Sequence, residues 1–188
     1  MPYLTAQAYA KVNLTLDILR KRPDGYHDMC MIMQTVSLCD RISLRTHTGQ
    51  RDVIESNLPF LPKDEKNLAL HAAREFFRLA GMDPCGISMV LEKTIPVCAG
   101  LGGGSADAAA VLNMLDAAYP GSLLPEELYA CAAQLGSDVP FCMAGGTMLA
   151  SGRGEKLQKL PDMPPAYVVL CKPPFPLSTR SVFSGFDC

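Results

Sequence analysis

The sequence lacks the features that mark proteins that bind nucleic acid or insert into membranes. Its 17 basic and 19 acidic residues give a net charge of -2, which is not the basic field that nucleic acid or an anionic membrane requires. No run approaches the roughly 20 apolar residues of a membrane span. The N-terminal residues contain neither a basic region nor a long apolar core, so we predict no signal peptide and expect a cytoplasmic protein.

Closely paired cysteines are also missing. None of the eight cysteines forms a Cys-x-x-Cys pair, so a zinc cluster is poorly supported. We expect free thiols that are mostly buried as small apolar side chains. The cysteines are Cys30, Cys39, Cys85, Cys98, Cys131, Cys142, Cys171 and Cys188.

The chain does contain enough apolar residues for a packed core. Of its 188 residues, 48% are hydrophobic and 19% charged, which is typical of one good-sized domain, or of one domain and the start of another. Strand-like and helix-like patterns alternate irregularly and without a repeat, which favours the α+β class. We predict strands at 3–9, 12–19, 31–38, 41–45, 52–55, 86–92, 145–150, 155–160 and, buried, at 166–171; helices at 67–77, between Ser105 and Pro120, at 125–133 and at 178–183; and turns at 22–27 and at Cys39-Asp40.

The most informative stretch is residues 96–110, PVCAGLGGGSADAAA, where a glycine-rich loop runs into an alanine-rich helix. Alanine is the best helix former, and Ser105 is placed to cap the helix. Glycines let a backbone come close to a ligand, and the first amides of a helix have no internal partner, so the arrangement predicts a phosphate site. The apolar face of this helix is predicted to contain Ala108, Val111, Leu112, Leu115 and Ala118.

Two familiar phosphate loops do not fit this stretch. A Walker loop needs a lysine between glycine and serine, and Ser105 follows Gly104 directly. A Rossmann fingerprint follows the first strand, whereas this loop lies in the middle of the chain. The alternative is a flexible surface loop that happens to precede a helix, which the density of glycines makes the weaker interpretation.

At three other places the sequence leaves the role of a residue open. Lys11 and Asn13 lie in an apolar context where a solvated lysine and a strand asparagine are unexpected. The turn that ends in Tyr26 and His27 can be an ordinary surface turn, or an aromatic plate beside an imidazole that binds a base. Asp138 by itself can be a turn or cap residue.

Read together, these motifs resemble the 4-diphosphocytidyl-2-C-methyl-erythritol kinase family of the GHMP small-molecule kinases. Pro-x-x-x-Gly-Leu-Gly-Gly-Gly-Ser-Ala-Asp-Ala-Ala is similar to that family's phosphate loop, in which homoserine and mevalonate kinases usually carry serines where Gly103 and Gly104 stand. Residues 135–140 match a further family motif. The resemblance implies an α+β N-terminal domain like ribosomal protein S5 domain 2, with a left-handed βαβ crossover, at residues 1–160.

The resemblance also implies an activity, which is ATP-dependent phosphorylation of the erythritol 2-hydroxyl of a cytidine-diphosphate substrate. Asp138 matches the base that accepts the hydroxyl proton, and Lys11 the cation beside it. Mg²⁺ is expected with ATP, with Ser105 as its protein contact or as a helix cap alone. Residues implied to bind ATP are Asn67 and Lys93 near adenine and Pro96, Ala99, Gly100, Leu101, Gly102, Gly103, Gly104, Ser105 and Ala106 near the phosphates.

For the substrate, Tyr26 and Phe183 match the pair of rings that sandwiches cytosine, and His27 the residue that reads its edge. Asn13 and Thr179 match positions that line the substrate. The implied partner is therefore a small molecule, with no nucleic acid and no membrane.

One departure concerns length: we expect either a fragment or a truncated gene product, because the resemblance implies that family members continue into a second, ferredoxin-like domain. Residues 161–188 would be its truncated start, so we expect exposed apolar surface and weak or no turnover. Two alternatives remain open: a GHMP kinase for another alcohol, and a non-catalytic module on the same fold that binds nucleotide or RNA. The net charge disfavours RNA.

Overall fold

The computed structural model describes residues 3–48, 51–82, 84 and 86–172. Within these residues, strands and helices mix along the chain, which confirms the α+β class. The strands are β1 (Leu4–Lys21), β2 (His27–His47), β3 (Val53–Ser56), β4 (Gly86–Glu92), β5 (Thr147–Gly152) and β6 (Lys156–Lys159). The helices are α1 (Leu68–Leu79), α2 (Gly103–Ala118), α3 (Pro125–Leu135) and α4 (Val139–Ala144).

The sheet is built around β2, which is 21 residues long. It pairs antiparallel with β1 along almost all of its length, with β4 through residues 41–47 and with β5 through residues 29–34. β6 pairs antiparallel with β5, and β3 pairs parallel with β4. The parallel pair and the helix between its strands form the βαβ unit that the resemblance implies, and the hand of its crossover stays a prediction.

Two breaks predicted in the first part of the chain are wrong. Ala10 lies inside β1, at a shift of register, and the turn predicted at Cys39-Asp40 lies inside β2. Aspartate is disfavoured within strands, which is why the pattern suggested a turn. Asp40 is fully buried, and its carboxylate accepts hydrogen bonds from Lys93 and from backbone N–H groups. These partners compensate the buried charge, so the strand continues through it.

Helix α2 is the centre of the core, because it contacts β1, β2 and the other helices. The prediction of a helix ended before Pro120-Gly121 is confirmed. The prediction of a single apolar face is wrong, since residues on nearly every side of α2 are buried and Ala118 is exposed. Alanines suit this position because small side chains allow close approach of the neighbouring elements.

The remaining helices and strands follow the sequence pattern closely, apart from α4. Asn67 caps α1 by accepting a hydrogen bond from the Ala69 N–H at 3.1 Å. Pro125 opens α3, as predicted. Helix α4 was not predicted, β5 begins two residues later than expected, and β6 is shorter. Among the described helices, none combines the length and apolarity needed to cross a bilayer.

The segment that follows β6 differs from the strand predicted there. Residues 161–172 form neither helix nor strand, so the buried strand predicted at 166–171 is wrong. Tyr167 and Val169 are exposed, at 103% and 92%. A strand needs neighbours that take its hydrogen bonds and cover its apolar face, and within the described residues this segment pairs with none. The helix predicted at 178–183 lies outside the described residues.

Replacing Leu112 with Ala should lower the free energy of unfolding by about 2–5 kcal/mol, because Leu112 is completely buried in α2 and its loss leaves a cavity. The matched control is Leu79→Ala at the end of α1, where the same atoms are 40% exposed and the expected loss is below about 1 kcal/mol. Urea unfolding of both variants checks this. Equal losses would mean that α2 is not the buried helix.

Candidate active site

The start of helix α2 is open for a ligand. The cap residue is Gly102, with φ 68° and ψ 19°, and it has no side chain with which to cap the helix. Ser105 is the third residue of the helix, so the prediction that it is the cap is wrong. The first hydrogen bond of the helix runs from the Ala106 N–H to the Gly102 carbonyl. The N–H groups of Gly103, Gly104 and Ser105 therefore have no acceptor in their own helix, and they lie at its positive end.

The predicted phosphate loop is exposed at its tip and anchored at both ends. Pro96, Gly100 and Gly104 are exposed, and Ala99, Gly102, Gly103 and Ser105 are partly buried. Leu101 and Ala106 are buried in the core. The loop therefore presents backbone to the outside while two apolar side chains hold it on the protein.

Lys11 attaches this loop to the sheet. The register of β1 with β2 shifts between Tyr9 and Lys11. The Lys11 N–H donates to the Leu101 carbonyl, at 3.0 Å. A Cβ atom on Gly102 would lie 3.0 Å from Lys11 Cγ, tighter than most real contacts. Only glycine allows this approach together with a left-handed backbone.

The two residues proposed for catalysis meet in the structure. Lys11 Nζ lies 3.4 Å from Asp138 Oδ2, with side-chain exposures of 7% and 31%. Lys11 Nζ also donates to Asn13 Oδ1, at 3.1 Å. Asp138 occupies the cap position of α4, but among the described residues its side chain forms no capping hydrogen bond. The structure therefore favours the predicted pairing with Lys11 over a cap role for Asp138.

Ser105 lies close to the turn that carries Asp138. A Cβ atom placed on Gly136 would lie 3.9 Å from Ser105 Oγ. The start of α2 and the turn before α4 therefore face each other. Within the described part of the chain, no group of three His, Cys, Asp or Glu residues could hold a metal ion. The hydroxyl oxygen of Ser105 is a ligand of the kind that Mg²⁺ can bind in addition to phosphate oxygens.

The two residues proposed near adenine are buried, and both bind other parts of the protein. Asn67 accepts from the Ala69 N–H and donates to the Pro62 carbonyl at 3.0 Å. The side chain of Lys93 is 4% exposed, and its ammonium lies between Asp40 and Asp107. The structure thus shows a capping role for Asn67 and an inward-pointing Lys93. Their predicted contacts with adenine stay predictions.

The predicted cytosine-binding turn lies beside the hairpin that joins β5 to β6. Gly25 has φ 81° and the Tyr26 carbonyl accepts from the Arg22 N–H, which confirms a turn. Tyr26 is 55% exposed, with the Arg153 guanidinium 5.0 Å above its ring. His27 is buried, contrary to the plain interpretation that placed it on the surface.

This hairpin links the turn to the catalytic pair. A Cβ atom on Gly154 would lie 3.9 Å from the Cβ atom of Ser137, which precedes Asp138. Tyr26 and Asp138 therefore flank the same hairpin. Asn13 is exposed beside Lys11, while Thr179 and Phe183 lie outside the described residues.

Sequence reasoning missed two acidic residues close to the phosphate loop. The sequence pattern predicts a turn at Asp40 and gives Asp107 no role beyond its place in the helix. Burial raises the pKa of Asp107 to about 7, and the charge of Lys93 opposes this shift. A signal was available, since both acids interrupt apolar runs that continue on each side of them.

Among the described cysteines, Cys131 is buried, Cys30, Cys39 and Cys142 are partly buried, and two others are exposed. Burial raises the pKa of Cys131 to about 11 and that of Cys142 to about 12. Cys98 and Cys171 are free and exposed, so the expectation of burial fails for these two. Cys98 is of interest because it lies in the phosphate loop.

Comparison with known proteins finds similarity to GHMP kinases. A profile described as "GHMP kinases N terminal domain" matches residues 67–146. The chain is 46% identical over 98% of its length to the 4-diphosphocytidyl-2-C-methyl-D-erythritol kinase of Exiguobacterium sibiricum. It is 49% identical over 97% of its length to the enzyme of that name from Pelotomaculum thermopropionicum. The chain is therefore similar to GHMP kinases over nearly all of its length. It spans 64% and 63% of the length of these two relatives.

Solved structures agree with this GHMP kinase fold. A crystal structure of 4-(cytidine 5'-diphospho)-2C-methyl-D-erythritol kinase superposes with a TM-score of 0.69 and 40% identity, covering 83% of this chain and 55% of that one. The mevalonate kinase of Methanococcus jannaschii superposes with a TM-score of 0.64 at 14% identity, covering 85% and 56%. At that identity the second match supports the fold alone.

Replacing Gly102 with Ala should destabilise the protein more than the matched change Gly121→Ala. Both glycines have left-handed backbones, with φ 68° and 77°, which cost a non-glycine residue about 1–2 kcal/mol. A Cβ on Gly121 meets nothing within 4 Å, whereas one on Gly102 meets Lys11. Urea unfolding of both variants measures the difference. Equal losses would contradict the close contact between loop and lysine.

Proposed function

We propose that this protein binds ATP and phosphorylates the 2-hydroxyl of 4-diphosphocytidyl-2-C-methyl-D-erythritol. One observation carries the proposal: the Lys11 ammonium and the Asp138 carboxylate lie 3.4 Å apart, close to the uncapped start of α2. A cation, a carboxylate and free backbone amides in one place are the groups that phosphoryl transfer requires. The names of the relatives, at 46% and 49% identity, support the choice of substrate.

In the proposed reaction, the chain aligns the two substrates and moves one proton. The amides at the start of α2 hold the anionic phosphates of ATP. Asp138 accepts the proton of the attacking hydroxyl as the oxygen–phosphorus bond forms and the bond from the γ-phosphorus to the leaving oxygen of ADP breaks. Lys11 stabilises the negative charge of the transferring group.

Magnesium belongs to this proposal as the companion of ATP. Bound to the phosphates, it would neutralise charge on the transferring group. Ser105 Oγ lies close to the turn before Asp138, 3.9 Å from a Cβ placed on Gly136, so Ser105 is the residue that we propose to contact the ion. A cation held mainly by phosphate oxygens needs few protein ligands.

The substrate end of the site is proposed to lie at Tyr26 and His27. Tyr26 offers an exposed aromatic face for cytosine, and His27 follows it at the start of β2. We also propose that residues 1–160 form the nucleotide-binding unit, because the last strand within the described residues ends at Lys159.

Replacing Asp138 with Asn should leave ATP binding intact and lower the rate of phosphoryl transfer by about 10²–10⁴-fold, since the amide cannot accept the proton. Single-turnover assays with protein in excess detect slow transfer to the cytidyl substrate. Calorimetric titration with MgATP measures binding separately.

Homoserine and mevalonate serve as control acceptors in these assays. Faster transfer to either alcohol would replace the proposed substrate by another one. An Asp138→Asn variant as active as the unaltered chain would remove Asp138 as the base. A chain that binds MgATP but transfers phosphate to none of the three acceptors would favour a non-catalytic nucleotide-binding module.

Bound MgATP should slow the alkylation of Cys98, because this exposed thiol lies in the loop that is proposed to hold the phosphates. Cys171 is also exposed and serves as the internal control whose rate should not change. Peptide mass spectrometry after timed iodoacetamide treatment measures both rates. In a Gly103→Val variant the protection should be lost, since a Cβ there already lies 3.1 Å from Ile95 Cγ2. Protection of both thiols alike would not support a nucleotide at the loop.

A further inference from the structure

We infer that Asp40, Lys93 and Asp107 form a buried cluster that positions the start of α2 for phosphate binding, in addition to any direct contact of the loop with ATP. The inference rests on the proposed nucleotide site and assigns a role to two acids that contact neither ATP nor the substrate in that proposal. Lys93 Nζ donates to Asp40 Oδ2 and, at 2.5 Å, to Asp107 Oδ2.

The cluster joins three elements at the base of the phosphate loop. Asp40 lies in β2 between its pairings with β5 and β4, Lys93 follows β4 directly, and Asp107 lies one turn into α2. All three side chains are almost inaccessible, at 0%, 4% and 7% exposure. Buried ionisable groups are stable only while their partners stay within hydrogen-bond distance, so the geometry of the cluster is strongly constrained.

The backbone just before the loop is held from two sides. Asp40 Oδ1 accepts from the N–H groups of Thr94 and Ile95, at 2.5 and 2.8 Å. Asn57 accepts from the Lys93 N–H at 2.8 Å and donates to the Lys93 carbonyl at 2.9 Å. The chain thus enters the loop from a fixed direction.

The cluster also lies directly against the first residue of α2. A Cβ atom on Gly103 would be 3.6 Å from Lys93 Nζ and 3.1 Å from Ile95 Cγ2. The start of α2, whose amides are proposed to bind phosphate, therefore packs against the Lys93 ammonium and against the segment that Asp40 binds. A small displacement of this support moves those amides, and misplacement by about 1 Å can cost as much as 10²-fold in a reaction that depends on alignment.

The test compares Asp40→Asn and Asp107→Asn with Asp52→Asn as a matched control. Each change keeps the shape of the side chain and replaces its carboxyl group by an amide. Asp52 also binds a cation, Arg74, at 2.5 Å and accepts from a backbone N–H, that of Ile87, at 2.9 Å. The pair that it forms joins α1 to the other end of β4. All three variants should lose stability, but only the first two should bind MgATP more weakly, by about tenfold or more.

Two readouts separate positioning from a general structural role. Titration with CDP, the probe for the Tyr26 end of the site, should give the same affinity in all four proteins. Hydrogen exchange of the amides of residues 102–106 should be faster in the Asp40 and Asp107 variants and unchanged in the Asp52 variant. If Asp40→Asn does not fold, Asp107→Asn, which removes one of two carboxylates around Lys93, is the variant that decides.

The inference is overturned if the folded Asp107→Asn variant binds MgATP as tightly as the unaltered chain. It is also overturned if Asp52→Asn weakens MgATP binding equally, because the effect would then be one of stability. An unaltered chain that does not bind MgATP at all removes the proposed function and this inference together. Weaker MgATP binding with unchanged CDP binding supports both.

Discussion

The arrangement of the site depends on the attachment of one glycine loop to one lysine of the first strand. The Lys11 N–H binds the Leu101 carbonyl, and the next residue, Gly102, comes so close to the lysine stem that no other residue fits without a shift. That contact sets where helix α2 begins and where the lysine ammonium points. The carboxylate of Asp138, at the start of α4, lies 3.4 Å from that ammonium.

The proposed binding of an anion by the loop depends on the absence of a side chain at the cap of α2. A serine or aspartate at the cap of α2 would satisfy the first amides of the helix with its own side chain. Gly102 has none, so those N–H groups stay available to an anion. The same absence of side chains lets the loop lie directly on Lys11, Lys93 and Ile95. The buried ionic groups beneath this glycine-rich loop hold it in a defined position.

The chain is similar to GHMP kinases, and its structural neighbours differ widely in sequence. Mevalonate kinase shares the fold at 14% identity, so the sheet and helices do not by themselves select a substrate. In the proposed function, the groups that would select it are Tyr26 and His27, together with the hairpin that carries Arg153. These residues lie on turns, where side chains change without cost to the core.

The local elements of this protein could be predicted from its sequence. Helices α1 and α3 and strand β4 depend on neighbours a few residues apart, and the structure confirms them. The loop that runs into α2 was visible for the same reason. What only the tertiary structure decided was long-range: that Lys11 meets Asp138, that β2 runs unbroken through Asp40, and that a single lysine joins Asp40 to Asp107. Such contacts depend on how the sheet and the helices pack together, because a charge that breaks a local pattern is stable only when distant residues supply its partners.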